Sequence, residues 1–220
     1  MSRAIAVLRP EPGNRITAAA VEGRGRTAIR LPLFETRPLA WDVPDLAAYD
    51  ALILTSANAV RLAGEGLGLL RGLPVWTVGE ATASAARRAH LDVVAVGDAG
   101  AAALVAQAEA EGIRRALHLA GRERTLEAGG IVAAVLPVYA SELLPVIAEQ
   151  VAALDGCVAL VQSARAGARL AEIVSDRGAV VLAAVSEAAA AGAGRGWRAT
   201  AIAPRPETEA LIDLAIALAD

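Results

Sequence analysis

The feature of this sequence that most restricts its fold is an internal repeat with a constant spacing of 107 residues. Three strand-and-helix patterns in the middle of the chain recur at this spacing near its end without a gap. Such a repeat predicts an internal duplication, and therefore two similar halves. The matching positions are Ser56 and Ser163, Gly79 and Ser186, and Leu104 and Leu211.

Short apolar runs alternate with alanine-rich helical patterns in both halves, which predicts α/β architecture with parallel sheets. The first half is expected to contain strands near residues 4–8, 27–31, 51–55, 75–78 and 93–96. The second half opens with strands at 117–121 and 131–138 and continues with the three repeated units. Each half is therefore expected to form a sheet of about five strands.

Two domain arrangements fit the repeat. Either each repeat is one domain, or the chain leaves the first domain after its second strand, builds a complete second domain and returns. Segments 32–38 and 136–142 follow the second strand of each half and are extended and interrupted by proline, as expected for a paired two-stranded hinge. This favours the crossed arrangement, with one discontinuous domain of residues 1–34 and 142–220 and a second domain of residues 36–140.

The composition argues against several classes of function. With one cysteine, Cys157, and no acidic or cysteine neighbour of His90 or His118 at ligand spacing, neither a disulfide framework nor a metal site is expected. A net charge of −3 and an aromatic content of 3% argue against nucleic-acid partners. Apolar runs are shorter than the ~20 residues of a membrane span and no signal segment opens the chain, so a cytoplasmic protein without a membrane partner is expected.

Cofactor-binding loops are also not expected. The chain contains no lysine and hence no phosphate loop of the GxxxxGK[ST] type. The glycine clusters at 64–68 and 192–196 follow helical stretches instead of strands. They are interpreted as turns that end helices, not as dinucleotide-binding loops.

Ligands of parallel α/β sheets bind at the carboxyl ends of the strands, where loops lead into helix N termini. Here those loops are rich in small and hydroxyl residues, which leave backbone N–H groups near the positive end of a helix dipole. A single loop of this kind is better explained by ordinary capping. Five of them together favour a ligand with several negative charges. The loops comprise residues 55–58, 79–82, 121–124, 162–165 and 186–188.

The sequence resembles the uroporphyrinogen-III synthase family over nearly all of its 220 residues. The resemblance rests on the order and spacing of short motifs and not on any one of them. The motifs are Arg9-Pro10, Leu54–Val60, Val78–Thr82, Ala120-Gly121, Val138–Ser141, Gln162-Ser163, Ala184–Glu187 and Ala203–Pro206.

The resemblance implies two similar parallel-sheet, flavodoxin-like α/β domains joined by a two-stranded hinge, in the crossed arrangement. It also implies a cofactor-independent lyase of heme biosynthesis, which closes linear hydroxymethylbilane to uroporphyrinogen III with loss of water and inversion of ring D through a spiro intermediate. The eight carboxylates of this substrate match the anion-binding loops. The expected partner is this small molecule alone, bound by a monomer without a cofactor.

Tyr139 in the second hinge segment matches the hinge tyrosine of the family and is the candidate catalytic residue. Backbone N–H groups of the loops would bind carboxylates and hold the bilane folded. Candidate substrate-binding residues are Arg9, Ser56, Ala57, Asn58, Gly79, Thr82, Gly121, Ser163, Arg165 and Ser186. The chain departs from the family at Ala188 and Ala189, where threonines are common, and at Pro206-Glu207-Thr208, where proline and threonine are usually adjacent.

An alternative interpretation is a noncatalytic two-lobed binding protein that closes on a small polyanionic ligand. Such a protein would use the same loops, would not need Tyr139 and would release its ligand unchanged. Only the formation of product distinguishes it from an enzyme.

Overall fold

The computed structural model describes residues 2–220, which divide into two compact units. Unit 1 comprises Met1–Glu35 and Leu143–Asp220, and unit 2 comprises Thr36–Glu142. The chain thus passes from unit 1 into unit 2 and back.

The strands and helices follow the predicted alternation. In chain order the strands are β1 (Ile5–Val7), β2 (Ala28–Arg30), β3 (Phe34–Pro38), β4 (Ala51–Leu54), β5 (Val75–Val78), β6 (Val93–Gly97), β7 (Ala116–Gly121), β8 (Val132–Leu143), β9 (Val158–Val161), β10 (Val181–Ala184) and β11 (Ala199–Ile202). The α-helices are α1 (Gly13–Glu22), α2 (Ala57–Leu62), α3 (Glu80–Arg88), α4 (Ala101–Ala110), α5 (Ala148–Ala152), α6 (Ala164–Ile173), α7 (Glu187–Ala193) and α8 (Thr208–Ala219). Short 3₁₀ helices span Leu46–Ala48, Gly64–Leu70 and Arg177–Ala179.

Unit 1 contains a five-stranded sheet in the order β11-β10-β9-β1-β2, in which all neighbouring strands are parallel. Its inner strands are buried on both faces, which explains their uninterrupted apolar sequences. One face packs against α6 and α7, and the other against α1 and α8. In the order of the repeat, this sheet reads 2-1-3-4-5, the order of flavodoxin-like sheets.

Unit 2 contains a six-stranded sheet in the order β3-β8-β7-β4-β5-β6. The pairs from β8 to β6 are all parallel. Without β3 the sheet has the same 2-1-3-4-5 order as that of unit 1. The prediction of an α/β fold with parallel sheets is therefore confirmed, and Leu104 and Leu211, which the repeat relates, are both fully buried.

The connection between β7 and β8 differs from its counterpart in unit 1. Helix α1 joins β1 to β2, whereas the residues joining β7 to β8 contain no helix. Gly129 and Gly130 both have positive φ, at 151° and 54°, which helical backbone does not allow. Leu126 in this loop packs on the sheet face that a helix would otherwise cover.

No helix in residues 2–220 is long and apolar enough to cross a membrane.

His118 is fully buried in β7. Its Nδ1 lies 3.0 Å from the carbonyl oxygen of Ile53, while Nε2 has no hydrogen-bond partner among residues 2–220. Burial lowers the pKa of His118 below the ordinary histidine value, because a protonated ring loses its hydration there. There is therefore a pH range in which the His118 ring is neutral in the folded protein and protonated in the unfolded chain.

We expect the free energy of unfolding to fall as the pH is lowered from 7 to 5, with His118 as one cause. Its contribution is complete above the unfolded pKa of about 6.5 and is lost as the pH falls from there to the lower folded pKa, because over this range the unfolded chain binds a proton that the folded chain does not. Urea denaturation should give a shallower fall for His118→Gln than for wild type. Equal slopes for His118→Gln and wild type would contradict this role.

Candidate functional site

In unit 1, Ser163 and Ser186 are the N-cap residues of α6 and α7. Their Oγ atoms accept hydrogen bonds from the backbone N–H groups of Ala166, at 3.1 Å, and Ala189, at 3.3 Å. Each hydroxyl thus performs ordinary capping and still has its O–H as a donor. Other N–H groups of the first helical turn have no intrahelical acceptor, so both loops can bind an anion.

Helices α6 and α7 contact each other through their backbones. A Cβ atom added at Gly167 would lie 2.6 Å from the backbone N of Ala193, and one added at Gly192 would lie 2.3 Å from the carbonyl oxygen of Ala164. Only glycine permits this approach. Because β9 and β10 are adjacent parallel strands, the loops that begin these helices lie side by side.

Arg9 follows β1 and is half-buried. Its Nη1 lies 3.5 Å from Thr17 Oγ1 and 3.4 Å from Thr208 Oγ1, and its guanidinium lies against Gly13. Arg9 is therefore held near the N termini of α1 and α8, where a guanidinium is well placed to bind a carboxylate. Thr208 was not predicted as a site residue. The available signal was a hydroxyl at the first position of the last helix.

Arg165 lies in the first turn of α6 and is exposed. Its guanidinium carbon is 4.4 Å from the centroid of the Phe34 ring, which is a cation–π geometry. The charge is thereby held against β3 instead of extending along α6.

In unit 2, the predicted residues Ser56, Ala57 and Asn58 form the half-buried start of α2. Ser56 Oγ accepts a hydrogen bond from the backbone N–H of Asn58 at 3.2 Å. The Asn58 carbonyl Oδ1 accepts one from Arg61 Nη1 at 2.9 Å. This loop reproduces the capping seen at Ser163, as the repeat predicts.

Gly79 begins α3 with φ of 77°, a conformation that favours glycine. Its N–H donates to the carbonyl oxygen of Gly97 at 2.8 Å, and the N–H of Thr82 donates to the carbonyl oxygen of Gly79 at 3.1 Å. Thr82 is also buried. The amides of Gly79 and Thr82 themselves are thus used within the fold. The β5–β6 pairing and the helix use both amides, which leaves the first-turn amides that follow Gly79.

Gly121 and Tyr139 are paired across β7 and β8. A Cβ atom added at Gly121 would lie 2.8 Å from Cζ and 3.0 Å from Oη of Tyr139, so the tyrosine ring lies directly against this glycine. The carbonyl oxygen of Tyr139 accepts a hydrogen bond from the N–H of Arg122 at 2.8 Å. Tyr139 is half-buried and packs against the core of unit 2, which fixes the place of its hydroxyl at the end of β7.

The structure thus collects the predicted residues at the carboxyl edge of each sheet. In unit 1 they follow β1, β9 and β10, and in unit 2 they follow β4 and β5 or end β7, with Tyr139 on β8. Within each unit these strands are neighbours. The residues in question are Arg9, Ser163, Arg165 and Ser186 in unit 1, and Ser56, Ala57, Asn58, Gly79, Thr82, Gly121 and Tyr139 in unit 2.

The described residues offer these loops neither a cysteine nucleophile nor a cluster of metal ligands. Burial raises the pKa of the Cys157 thiol to about 12, so the thiol stays protonated and a poor nucleophile. Among the residues that the structure describes, no group of three or more His, Cys, Asp or Glu side chains is placed to hold a metal ion. The groups available at the edges are amides, hydroxyls and arginines that can bind anions, one phenol, and the exposed carboxylates of Glu80, Glu123 and Glu187.

Comparison with known proteins gives one family. The family model described as Uroporphyrinogen-III synthase HemD matches residues 16–213. A search of curated protein sequences gives no significant match.

Two solved structures resemble the fold along almost the whole chain. The uroporphyrinogen-III synthetase of Helicobacter pylori has a TM-score of 0.70 at 19% identity, and the alignment covers 99% of this chain and 100% of that one. A mutant uroporphyrinogen III synthase of the extremely thermophilic bacterium Thermus thermophilus has a TM-score of 0.58 at 19% identity, with 99% of each chain covered. At this identity the two structures establish similarity of fold.

Proposed function

Because the chain belongs to the uroporphyrinogen-III synthase family, we propose that it closes hydroxymethylbilane and that its strand-end loops bind the carboxylate arms of this substrate. The reaction that this family membership implies is cofactor-independent: linear hydroxymethylbilane becomes uroporphyrinogen III, with loss of water and inversion of ring D. The observation that carries the proposal is the placement of the predicted residues at the carboxyl edge of both sheets.

The carboxylate arms of the substrate are the groups that these loops bind. First-turn amides of α2, α3, α6 and α7 point out of the helices with partial positive charge, and the capping serines keep an O–H donor. Arg9 and Arg165 add two guanidinium groups in unit 1. Several weak contacts of this kind define one folded conformation of a flexible molecule better than one strong contact does.

Positioning accounts for most of the proposed catalysis. Hydroxymethylbilane also closes without the enzyme, but then ring D is not inverted, so the protein must favour one geometry over a competing one. Loss of the ring A hydroxyl as water leaves an electrophilic carbon, which the substituted position of ring D attacks to give the spiro intermediate. Holding the two ends of the bilane in this orientation supplies the effective concentration that selects the inverted product.

Tyr139 is the proposed acid for the departing hydroxyl. Its ring is fixed against Gly121 by β8, which places the phenol at the end of β7. A phenol is a weak acid, so its help is limited to about 100-fold, the low end for general acid catalysis.

Strands β3 and β8 are the proposed hinge of two domains. They are hydrogen-bonded neighbours, and both crossings between the units occur within or directly beside them. We assign segments 32–38 and 136–142 to this hinge, residues 1–34 and 142–220 to one domain and residues 36–140 to the other. We further propose that the protein acts in the cytoplasm. We also propose that it acts as a monomer, because all of the loops invoked here belong to one chain.

The function is tested by supplying freshly prepared hydroxymethylbilane and separating the type I and type III products. Wild-type protein should give mainly type III, faster than the spontaneous closure gives type I. Type I alone, at the spontaneous rate, would contradict the function and leave the binding protein as the alternative.

Replacing Tyr139 by phenylalanine is expected to lower the rate of type III formation by up to about 100-fold. The ring and its packing against unit 2 remain, so the free energy of unfolding should change by less than about 1 kcal/mol. Single-turnover product analysis measures the first quantity and urea denaturation the second. Tyr49→Phe, which removes a phenol from the same core cluster but outside these loops, is the matched control. A wild-type rate in Tyr139→Phe would remove the hydroxyl from the mechanism.

A further inference from the structure

The guanidinium of Arg9 lies in a space that a side chain at Gly13 would fill. A Cβ atom added at Gly13 would lie 2.4 Å from Nε, 2.6 Å from Cζ and 2.9 Å from Nη2 of Arg9. Gly13 is the first residue of α1 and its φ is not positive, so the helix does not itself require a glycine there. The close approach of the guanidinium is what requires it.

Two hydroxyl groups set the direction of this guanidinium. Nη1 of Arg9 donates to Oγ1 of Thr17, in the second turn of α1, at 3.5 Å, and to Oγ1 of Thr208 at 3.4 Å. Thr17 is 1% exposed, so bulk water does not compete for its hydroxyl. Arg9 itself is half-buried, so part of its side chain remains open to a ligand.

Helix α1 is fixed to the strand from which Arg9 emerges. Asn14 is fully buried, and its Nδ2 donates to the carbonyl oxygen of Val7, the last residue of β1, at 2.7 Å. Its backbone N–H donates to the carbonyl oxygen of Pro10 at 3.0 Å. The loop between Arg9 and Gly13 is therefore tied to β1 and to α1, and the place of the guanidinium is formed without a ligand.

A guanidinium held in this way is suited to a carboxylate. Its N–H groups lie in one plane and match the two oxygens of a carboxylate, provided that the plane has the right orientation. An arginine side chain that moves freely must lose this freedom on binding, which lowers its affinity for the ligand. The N termini of α1 and α8 add partial positive charge at the same place.

We propose that Gly13 and Thr17 are positioning residues for substrate binding, which hold the Arg9 guanidinium ready for one carboxylate arm of hydroxymethylbilane. This inference rests on the proposed function. Gly13 provides the space, Thr17 provides the direction and Arg9 makes the contact. The arrangement is particular to unit 1, because no helix joins β7 to β8 in unit 2.

The first test is the Gly13→Ala variant. The atoms that the new methyl group would meet are the far end of a flexible side chain, so Arg9 should turn away while α1 stays in place. We expect KM for type III formation to rise about tenfold, the effect of ordering one long side chain on binding. The kcat should stay nearly unchanged, because the bound arm does not react. The midpoint of urea denaturation should stay equal or rise, since alanine favours a helix over glycine.

The second test separates the hydroxyl of Thr17 from its packing. Thr17→Val keeps the shape of the side chain and removes the hydroxyl, so KM should rise about threefold, as for the loss of a weak hydrogen bond, with an unchanged denaturation midpoint. Thr17→Ser keeps the hydroxyl and loses a buried methyl group, so KM should stay at the wild-type value while the midpoint falls. A purely structural threonine would show no such separation.

Gly72→Ala is the control for an added methyl group, because no atom lies within 4 Å of its Cβ position, and it should keep the wild-type KM. A wild-type KM in Gly13→Ala would overturn the proposal, and so would a lowered midpoint, which would show that the fold itself needs Gly13. A raised KM in Thr17→Ser beside a wild-type KM in Thr17→Val would also overturn it. Failure of the proposed function is a separate result, in which wild-type protein itself forms no type III product.

Discussion

The Gly192→Ala variant is expected to unfold at a clearly lower urea concentration than wild type. The added Cβ would lie 2.3 Å from the carbonyl oxygen and 2.5 Å from Cα of Ala164, which are backbone atoms in the first turn of α6. Overpacking of a fitted contact costs about 3 kcal/mol, and backbone atoms cannot swing aside as a side chain does. The gain from replacing a helical glycine by alanine is only about 1 kcal/mol. The steric cost exceeds this gain, so the free energy of unfolding should fall by about 2 kcal/mol or more.

The control for this variant is Gly72→Ala. No atom lies within 4 Å of the position that a Cβ would take at Gly72, and φ there is not positive, so its free energy of unfolding should change by less than about 0.5 kcal/mol. If Gly192→Ala unfolds at the wild-type urea concentration, α6 and α7 do not approach each other as closely as the structure has them. Denaturation followed by circular dichroism measures both variants.

The elements of this fold follow from local patterns, and local patterns are what a sequence displays directly. The apolar runs that predict strands became the buried strands β4, β5, β9 and β10, because parallel strands covered on both faces need uninterrupted apolar sequence. The repeat predicted equivalent roles for Ser56 and Ser163, and both cap the helix that follows. Capping depends on residues two or three apart, so it is visible without a structure.

Contacts between distant parts of the chain were not predictable in this way. The cluster at 192–196 was interpreted as a turn that ends a helix, and Gly194 does end α7 with φ of 70°. Gly192, in contrast, lies inside α7 and is required by the approach of α6. The amide of Gly79 is occupied by Gly97, a residue of the neighbouring strand. In both cases the glycine is explained by an atom of a different helix or strand. Local sequence patterns do not show how close that element lies to the glycine.

In the candidate site, too, local features could be predicted from the sequence and contacts between distant residues could not. Its loops could be predicted because carboxyl ends of parallel strands meet at one edge of a sheet. The contact of Tyr139 with Gly121 could not, since it depends on the register of β7 with β8, which shifts between Ala120 and Gly121.

The Gly121→Ala variant is expected to lower kcat/KM for type III formation by about 100-fold while the protein stays folded. The new methyl group would stand 2.8 Å from Cζ and 3.0 Å from Oη of Tyr139 and 3.1 Å from the carbonyl oxygen of Glu123, so the backbone oxygen must shift by a few tenths of an ångström and the ring must move away. The two tyrosine atoms are the far end of a half-buried side chain, which can turn at a cost of about 1 kcal/mol or less. A displacement of about 1 Å in a group that positions a reaction can reduce the rate by about 100-fold.

A double-mutant cycle decides whether this loss acts through the phenol. If Gly121→Ala acts by displacing the Tyr139 hydroxyl, then adding it to Tyr139→Phe should slow the reaction little further, because the hydroxyl is already absent. Independent roles would instead multiply the two losses. Gly72→Ala again serves as the control for a methyl group added in open space, and it should keep the wild-type kcat/KM. Multiplied losses in the double variant would show that Gly121 contributes to the reaction independently of the phenol, for instance through its own backbone.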